Sequence, residues 1–204
     1  MNFTDRIKPT DKGITTYLDE LKNQDYQIPT FQRDVVWEEE NVKKLWDSIY
    51  KFYPLGSLLI WKTNIKLQNH RKIGGHKILD DNFTKTEFQY ILDGQQRTTS
   101  LITSLYGGRI EGKGNFDPTL YFDISIQSKD DTDDEIYKKR FLYWSEINDK
   151  GGAFKRNTGR KKKFDKGLIL RLIDIKEKFE EIQEKGSKSS SSKSKIQPFL
   201  LGGT

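Results

Sequence analysis

The segment Asp93-Gly94-Gln95-Gln96-Arg97 carries the residue types with the clearest chemistry in this sequence. It follows an apolar run, Phe88 to Leu92, that predicts a strand, and it precedes a run, Thr98 to Tyr106, that predicts a helix. Gly94 can adopt a positive φ and let a ligand approach the backbone. The N–H groups at the start of a helix point outward, and the helix dipole favours negative charge there. The pattern therefore predicts a phosphate-binding loop.

The side chains of this loop suggest individual roles around a phosphate. Arg97 offers a planar, charged fork that suits phosphate oxygens. Asp93 can hold a divalent cation or accept a hydrogen bond from a ribose hydroxyl, while Gln95 or Gln96 can orient an attacking water. The hydroxyls of the first helical turn, that of Thr98 among them, add further donors. An ordinary turn in which Asp93 caps the helix is the other reading of the same residues.

A second polar cluster, Phe31-Gln32-Arg33, precedes a helix predicted from Trp37 to Tyr50. Arg33 is either a second contact to phosphate or base, or a surface arginine paired with the acidic run Glu38 to Glu40. The sequence does not show whether this cluster meets the Asp93 loop. Trp37 either staples the start of the helix or stacks on a nucleobase, and we favour the staple.

The elements that must position these residues follow from apolar periodicity. Helical spacing predicts a short helix from Ile14 to Leu21 and a longer one from Leu168 to Lys185. Short apolar runs predict extended segments at Tyr26 to Pro29, Ser57 to Trp61, Phe88 to Leu92 and Leu120 to Ile124.

The sequence also predicts the burial of two tryptophans and leaves the structure of one short apolar run open. We expect the strand that ends at Trp61 to be buried, and we place Trp46 and Trp61 in the core because both lie on apolar faces. Phe141 to Trp144 fits either a strand or a helix.

Composition narrows the class of protein. The chain has 204 residues, of which 33% are hydrophobic, 32% charged and 12% aromatic, so the aromatics supply much of the core. It has no cysteine, which excludes disulfides and thiolate metal sites. His70 and His76 are its only histidines, which argues against a His-rich metal site or a Ser-His-Asp triad. With neither a signal-peptide pattern nor an apolar run of membrane-spanning length, we expect a cytoplasmic protein without membrane contact.

The net charge of +6 is unevenly distributed. Basic residues crowd residues 150–166, where Asp165 is the one acid. Such a block predicts contact with DNA phosphates, and a solvated loop is the alternative. The residues assigned to this contact are Lys155, Arg156, Arg160, Lys161, Lys162 and Lys163.

Three motifs in order carry a family resemblance. Ile28 to Arg33 is followed by Trp37, then by Pro54 to Trp61, then by Ile91 to Leu101. This set resembles the N-terminal domain of GmrSD-type (type IV) restriction endonucleases, which is similar to the ParB/sulfiredoxin fold. The resemblance implies nucleotide-binding roles for Gln32, Arg33, Asp93, Gly94, Gln95, Gln96 and Arg97. The hydroxyl of Thr98, assigned from its position at the start of the helix, completes the predicted nucleotide-binding set.

The resemblance also implies an activity. Family members bind and often hydrolyse a nucleoside triphosphate (GTP, ATP or UTP) with Mg²⁺, and they couple turnover to recognition of modified phage DNA. A separate domain of HNH nuclease type cuts the DNA. This chain lacks a His-Asn-His-like motif, so we expect the nuclease to be another domain or subunit, and a homodimer is possible. The alternatives are a sensor that binds nucleotide and DNA without turnover, and an adaptor without a ligand.

The expected fold is α+β, with a small mixed β-sheet and packed helices (ParB/sulfiredoxin-like), followed by a helical C-terminal part. We expect a nucleotide-binding domain over residues 1–125 and a charged, mainly helical extension over 126–185. A Ser/Lys linker and tail cover residues 186–204, which suggests a fragment or one subunit of a split system.

Overall fold

A computed structural model describes residues 8–23, 25–32, 37–67, 70–71, 73–75, 86–110, 113–126, 134–148 and 159–184. The helices are α1 (Ile14–Lys22), α2 (Glu39–Tyr50), α3 (Gln95–Tyr106), α4 (Ile136–Arg140), α5 (Trp144–Ile147), α6 (Arg160–Asp165) and α7 (Leu172–Glu184). The strands are β1 (Tyr26–Pro29), β2 (Leu59–Thr63), β3 (His70–Arg71), β4 (Phe88–Asp93), β5 (Leu120–Asp123), β6 (Phe141–Tyr143) and β7 (Ile169–Arg171). The α+β class is confirmed.

The first sheet is mixed and has the strand order β2-β4-β1-β3. Strand β1 runs parallel to β4, whereas β2 is antiparallel to β4 and pairs Leu59 with Asp93. The carboxyl ends of β1 and β4 therefore lie at the same edge of the sheet as the amino end of β2. The loops that carry the predicted motifs meet at this edge.

The core forms between this sheet and the helices. Ile28 and Ile91 of the sheet belong to one buried cluster with residues of α1, α2 and α3. In α2 an apolar stripe is buried in full, since Val42, Leu45, Trp46 and Ile49 all face inward. Acidic residues occupy the first turn of α2, where the positive end of the helix dipole stabilises them.

A second, antiparallel sheet has the order β6-β5-β7. Its central strand, β5, precedes residue 125, while both of its partners follow it. The C-terminal part thus has the expected helices and also two strands. The helix predicted from Leu168 begins only at Leu172, because Ile169–Arg171 pair with β5 as β7. Phe141 to Trp144 divides into β6 and the first residue of α5.

The strand predicted over Ser57 to Trp61 begins two residues later and is not buried. Strand β2 lies at the edge of its sheet, and Trp61 is 37% exposed with its ring against Tyr90. The placement of Trp61 in the core was therefore wrong, whereas that of Trp46 is confirmed. An apolar run alone does not distinguish an edge strand from a central one.

A buried ion pair joins the two parts of the fold. The Arg140 guanidinium of α4 has no exposed side-chain surface and lies 2.5 Å from Asp47 of α2. It also lies over the ring of Tyr50, with its central carbon 4.1 Å from the ring centroid. This contact fixes α4 and the strand that follows it against α2.

No helix among the described residues is long and apolar enough to cross a bilayer.

Candidate functional site

The two predicted loops meet at the edge of the first sheet. Gln32, which follows β1, donates a hydrogen bond from Nε2 to the main-chain oxygen of Leu92 at 2.8 Å, near the end of β4. The sequence had left this juxtaposition open. Arg33 lies outside the described residues, so its predicted role stays a prediction.

Helix α3 begins at Gln95, three residues earlier than the sequence predicted. Gly94 is the N-cap, with a φ of 95° that confirms the expected positive value, and it turns the chain from strand to helix within one residue. The first intrahelical bond is donated by the N–H of Thr98 to the oxygen of Gly94. The outward-pointing N–H groups at this terminus are therefore those of Gln95, Gln96 and Arg97 rather than those after Thr98.

Arg97 binds the loop before β2. Its Nη1 donates to the main-chain oxygen of Leu55 at 2.6 Å, and its Nη2 donates to that of Ser57 at 2.8 Å. Gly56 between them has a φ of 80°, and a β-carbon there would lie 2.9 Å from Nη1 of Arg97. Nη2 also lies 3.8 Å from the Asp93 carboxylate. Arg97 thus fixes the loop to the start of α3.

The side chain of Leu58, in the loop before β2, covers Gly94. A β-carbon on Gly94 would lie 2.1 Å from Cδ2 of Leu58. The sequence predicted that the missing side chain makes room for a ligand at this residue. The structure shows that Leu58 occupies this space, so a ligand must approach the helix terminus from another side.

The two glutamines have different surroundings. Gln96 accepts a hydrogen bond from the N–H of Trp37 at 3.1 Å, and the oxygen of Trp37 accepts one from Lys113 at 3.0 Å. Gln95 is only 5% exposed, and its Oε1 accepts no hydrogen bond from any residue in the described ranges. A buried carboxamide oxygen without a donor costs free energy, and the side-chain oxygen of Gln27 in β1 is in the same condition.

Trp37 lies directly before the N-cap of α2 and packs partly buried against the main core. Val42, in the first helical turns of α2, belongs to the same cluster. This packing supports the staple rather than stacking on a base.

The hydroxyl of Thr98 faces the core. It donates to the oxygen of Gly94 at 3.0 Å and lies 2.6 Å from the hydroxyl of Tyr17 in α1. Burial raises the pKa of Tyr17, which keeps this phenol protonated and able to hydrogen-bond. Thr99 and Ser100 are buried as well. The Thr98 hydroxyl thus fixes the first turn of α3, and its predicted contact with a nucleotide stays a prediction.

Within α6, the described part of the basic block, three of the cations pair with acids. Lys155 and Arg156 lie outside the described residues. In α6, Lys161 pairs with Asp165, and Lys163 contacts both Asp123 and Ser125 at 2.9 Å. Arg160 lies 3.7 Å from Glu146. Lys162 is exposed.

Sequence reasoning missed several residues that build this site. Two of these groups contact the start of α3: the loop from Leu55 to Leu58 binds Arg97, and the phenol of Tyr17 binds Thr98. The ammonium of Lys113 binds Trp37, which is hydrogen-bonded to Gln96. Each contact spans dozens of residues along the chain. Pro54 and Gly56 are typical of a turn, but they do not show which part of the chain the turn contacts.

The family model described as "GmrSD restriction endonuclease, N-terminal domain" matches residues 14–200. An uncharacterized protein of Methanocaldococcus jannaschii is 30% identical over 114 residues, which are 54% of this chain. The chain spans 20% of the length of that relative. No solved structure matches the chain.

Replacing Gly94 by alanine tests the close packing of the loop on the helix. We expect Gly94→Ala to lower the free energy of unfolding by about 1–2 kcal/mol for the left-handed backbone and by a further ~1–3 kcal/mol for the clash with Leu58. Urea unfolding measures both. Gly114→Ala is the matched control, because Gly114 also has a positive φ but no atom within 4 Å of the added carbon.

Adding Leu58→Ala to Gly94→Ala removes the clash between the two side chains but leaves the backbone strain at residue 94. It should therefore recover part of the loss caused by Gly94→Ala and none of the loss caused by Gly114→Ala. Equal losses for the two glycine variants would show that Leu58 does not pack on Gly94.

Proposed function

Because the chain belongs to the GmrSD restriction endonuclease N-terminal domain family, we propose that it is a nucleotide-binding module of a DNA-restriction, phage-defence system. The observation that carries this proposal is the start of α3. It lies at the carboxyl edge of two parallel strands, and the N–H groups of Gln95, Gln96 and Arg97 are the first of a 12-residue helix. Ligands of sheets with parallel strands bind at this edge, and phosphates bind at helix N-termini.

The residues at this terminus fit a triphosphate. Gly94 provides no side-chain cap, which leaves the first N–H groups to an external acceptor. Arg97 adds positive charge beside them even while it binds the loop carbonyls. The uncompensated oxygen of Gln95 lies in the same turn. In the family resemblance, Arg33 adds a second cation next to Gln32.

Asp93 is the residue that would hold Mg²⁺. Its side chain is 72% exposed, directly before the helix terminus. The described residues contain no group of three acidic, His or Cys side chains able to hold a metal. Asp93 would therefore share the ion with phosphate oxygens and water, as is usual for Mg²⁺. When bound, the ion neutralises charge that develops on the phosphates.

Hydrolysis is the further step that we propose for this site. The buried side-chain oxygen of Gln95 has no donor among the described residues and is the acceptor that would orient a water entering this site, whereas that of Gln96 already accepts the N–H of Trp37. Attack of the water on the terminal phosphorus breaks its bond to the bridging oxygen and releases phosphate and a diphosphate. The second candidate is a sensor that binds nucleotide and DNA without turnover. Measured phosphate release with modified and unmodified DNA separates the two, because a sensor releases none.

The proposed partners follow from the family. Modified phage DNA is the proposed target, an HNH-type nuclease domain or subunit the proposed cutting partner, and a homodimer is a possible assembly. On the described surface, α6 offers the exposed Lys162 to DNA phosphates, while the neighbouring cations pair with acids.

Replacing Asp93 by asparagine tests the metal role. We expect Asp93→Asn to weaken triphosphate binding in Mg²⁺ roughly 10-fold or more, as for loss of a charged contact. In EDTA the same variant should bind as well as wild type or better, because a carboxylate repels phosphate. Titration calorimetry with ATP, GTP and UTP measures both. Asp134→Asn removes an exposed carboxylate elsewhere and should change neither value; identical behaviour of the two variants would exclude Asp93 as a metal ligand.

Replacing Lys161 and Lys162 by glutamine tests DNA contact through α6. This double variant keeps the Lys163–Asp123 pair and hence the anchor of α6 on the second sheet. We expect weaker DNA binding for all sequences and a salt dependence reduced by roughly one to two released counterions. Lys138→Gln, an exposed lysine on α4, is the control. Unchanged affinity and salt slope in the double variant would rule out this surface.

A further inference from the structure

Three exposed aromatic side chains lie on the two loops that meet the start of α3. Phe31 is 70% exposed, Tyr53 is 62% exposed and Phe52 is 56% exposed. Isolated exposed apolar residues need no explanation, but large rings held in water beside a polar site do. We call Phe31, Phe52 and Tyr53 the aromatic platform.

Hydrogen bonds tie both loops of the platform to the helix terminus. Phe31 follows β1, and the adjacent Gln32 is hydrogen-bonded to the end of β4. Tyr53 precedes Leu55, whose oxygen binds Arg97. Both loops are therefore hydrogen-bonded to the end of β4 or to the first turn of α3.

Phe52 occupies a backbone position that favours glycine. Its φ is 57°, and it is the one residue other than glycine with a positive φ within the described ranges. The N–H of Phe52 donates to Ile49 and that of Tyr53 to Ser48, which is the hydrogen-bonding pattern that usually ends a helix with glycine. A phenylalanine here costs free energy in the backbone and gains little from burial. Such strain is retained where a side chain has another role.

We infer that the aromatic platform stacks on the base of the nucleotide whose phosphates bind at α3, an inference that rests on the proposed function. The buried side-chain oxygen of Gln95, in the first turn of α3, has no donor among the described residues, and a nucleotide bound at this terminus is one group that would supply a donor. A base attached to those phosphates through its ribose reaches the flanking loops. Every nucleobase presents a π-face, so stacking gives affinity with little discrimination between bases.

Comparing nucleotides with inorganic tripolyphosphate separates the base from the phosphates. We expect the wild-type protein to bind ATP, GTP and UTP in Mg²⁺ roughly 5- to 100-fold more tightly than tripolyphosphate, with small differences among the three. Phe31→Leu and Phe52→Gly should each lose roughly 5-fold or more of the nucleotide affinity and leave tripolyphosphate affinity unchanged.

Two controls exclude a loss of fold. Phe52→Gly relieves the backbone strain, so its urea midpoint should rise while nucleotide binding falls, and Phe52→Tyr should keep the binding. Ile65→Ala removes an equally exposed apolar side chain, 56%, beyond the far end of β2, and should change neither quantity.

The outcomes distinguish the two proposals. If neither nucleotide nor tripolyphosphate binds the wild-type protein, the proposed function fails, and the inference fails with it. If tripolyphosphate binds as tightly as the nucleotides, or if Phe31→Leu and Phe52→Gly bind nucleotides like wild type, the inference alone is overturned.

Discussion

The bond between the Arg97 guanidinium and the main-chain oxygens of Leu55 and Ser57 is the contact on which the site depends. Donors with a fixed planar geometry meet two acceptors of one turn, so the loop before β2 and the start of α3 form one unit. The turn can lie close to the start of α3 because Gly56 and Gly94 have no side chains at the points of contact. The loop that carries Phe52 and Tyr53 is thereby held beside the N–H groups of the helix.

This contact changes the chemical role assigned to Arg97. A free fork would bind phosphate oxygens directly, as the motif suggested. Here two of its N–H groups bind carbonyls of the protein, so at the proposed anion site its charge would act beside the phosphate while backbone N–H groups supplied the direct donors. Phosphates would then be recognised by the helix terminus and the base by the aromatic platform. Binding of this kind requires no hydrogen bond that is specific to one base.

Local patterns predicted the elements and the order of the motifs, but not the contacts between distant parts. The apolar stripe of α2 and the strand–glycine–helix arrangement around Gly94 are encoded within short windows and were found. The start of α3 was placed at Thr98 because Gln95-Gln96-Arg97 looked like loop, although one left-handed glycine is enough for the turn. The pairing of Ile169–Arg171 with β5, the exposure of Trp61 and the bond from Arg97 to Leu55 depend on partners far along the chain. The excess of basic residues likewise indicated more free cations than α6 presents, since Asp123 and Asp165 pair with two of them.

Backbone amide resonances of isotope-labelled protein, followed by NMR during titration with Mg²⁺ and tripolyphosphate, test the central claim most directly. A phosphate site at the start of α3 predicts saturable shifts centred on the amides of Gln95, Gln96 and Arg97, with the amides of β5 unchanged. Shifts that are absent from these three residues, or that centre on α6 instead, would contradict a phosphate site at the start of α3.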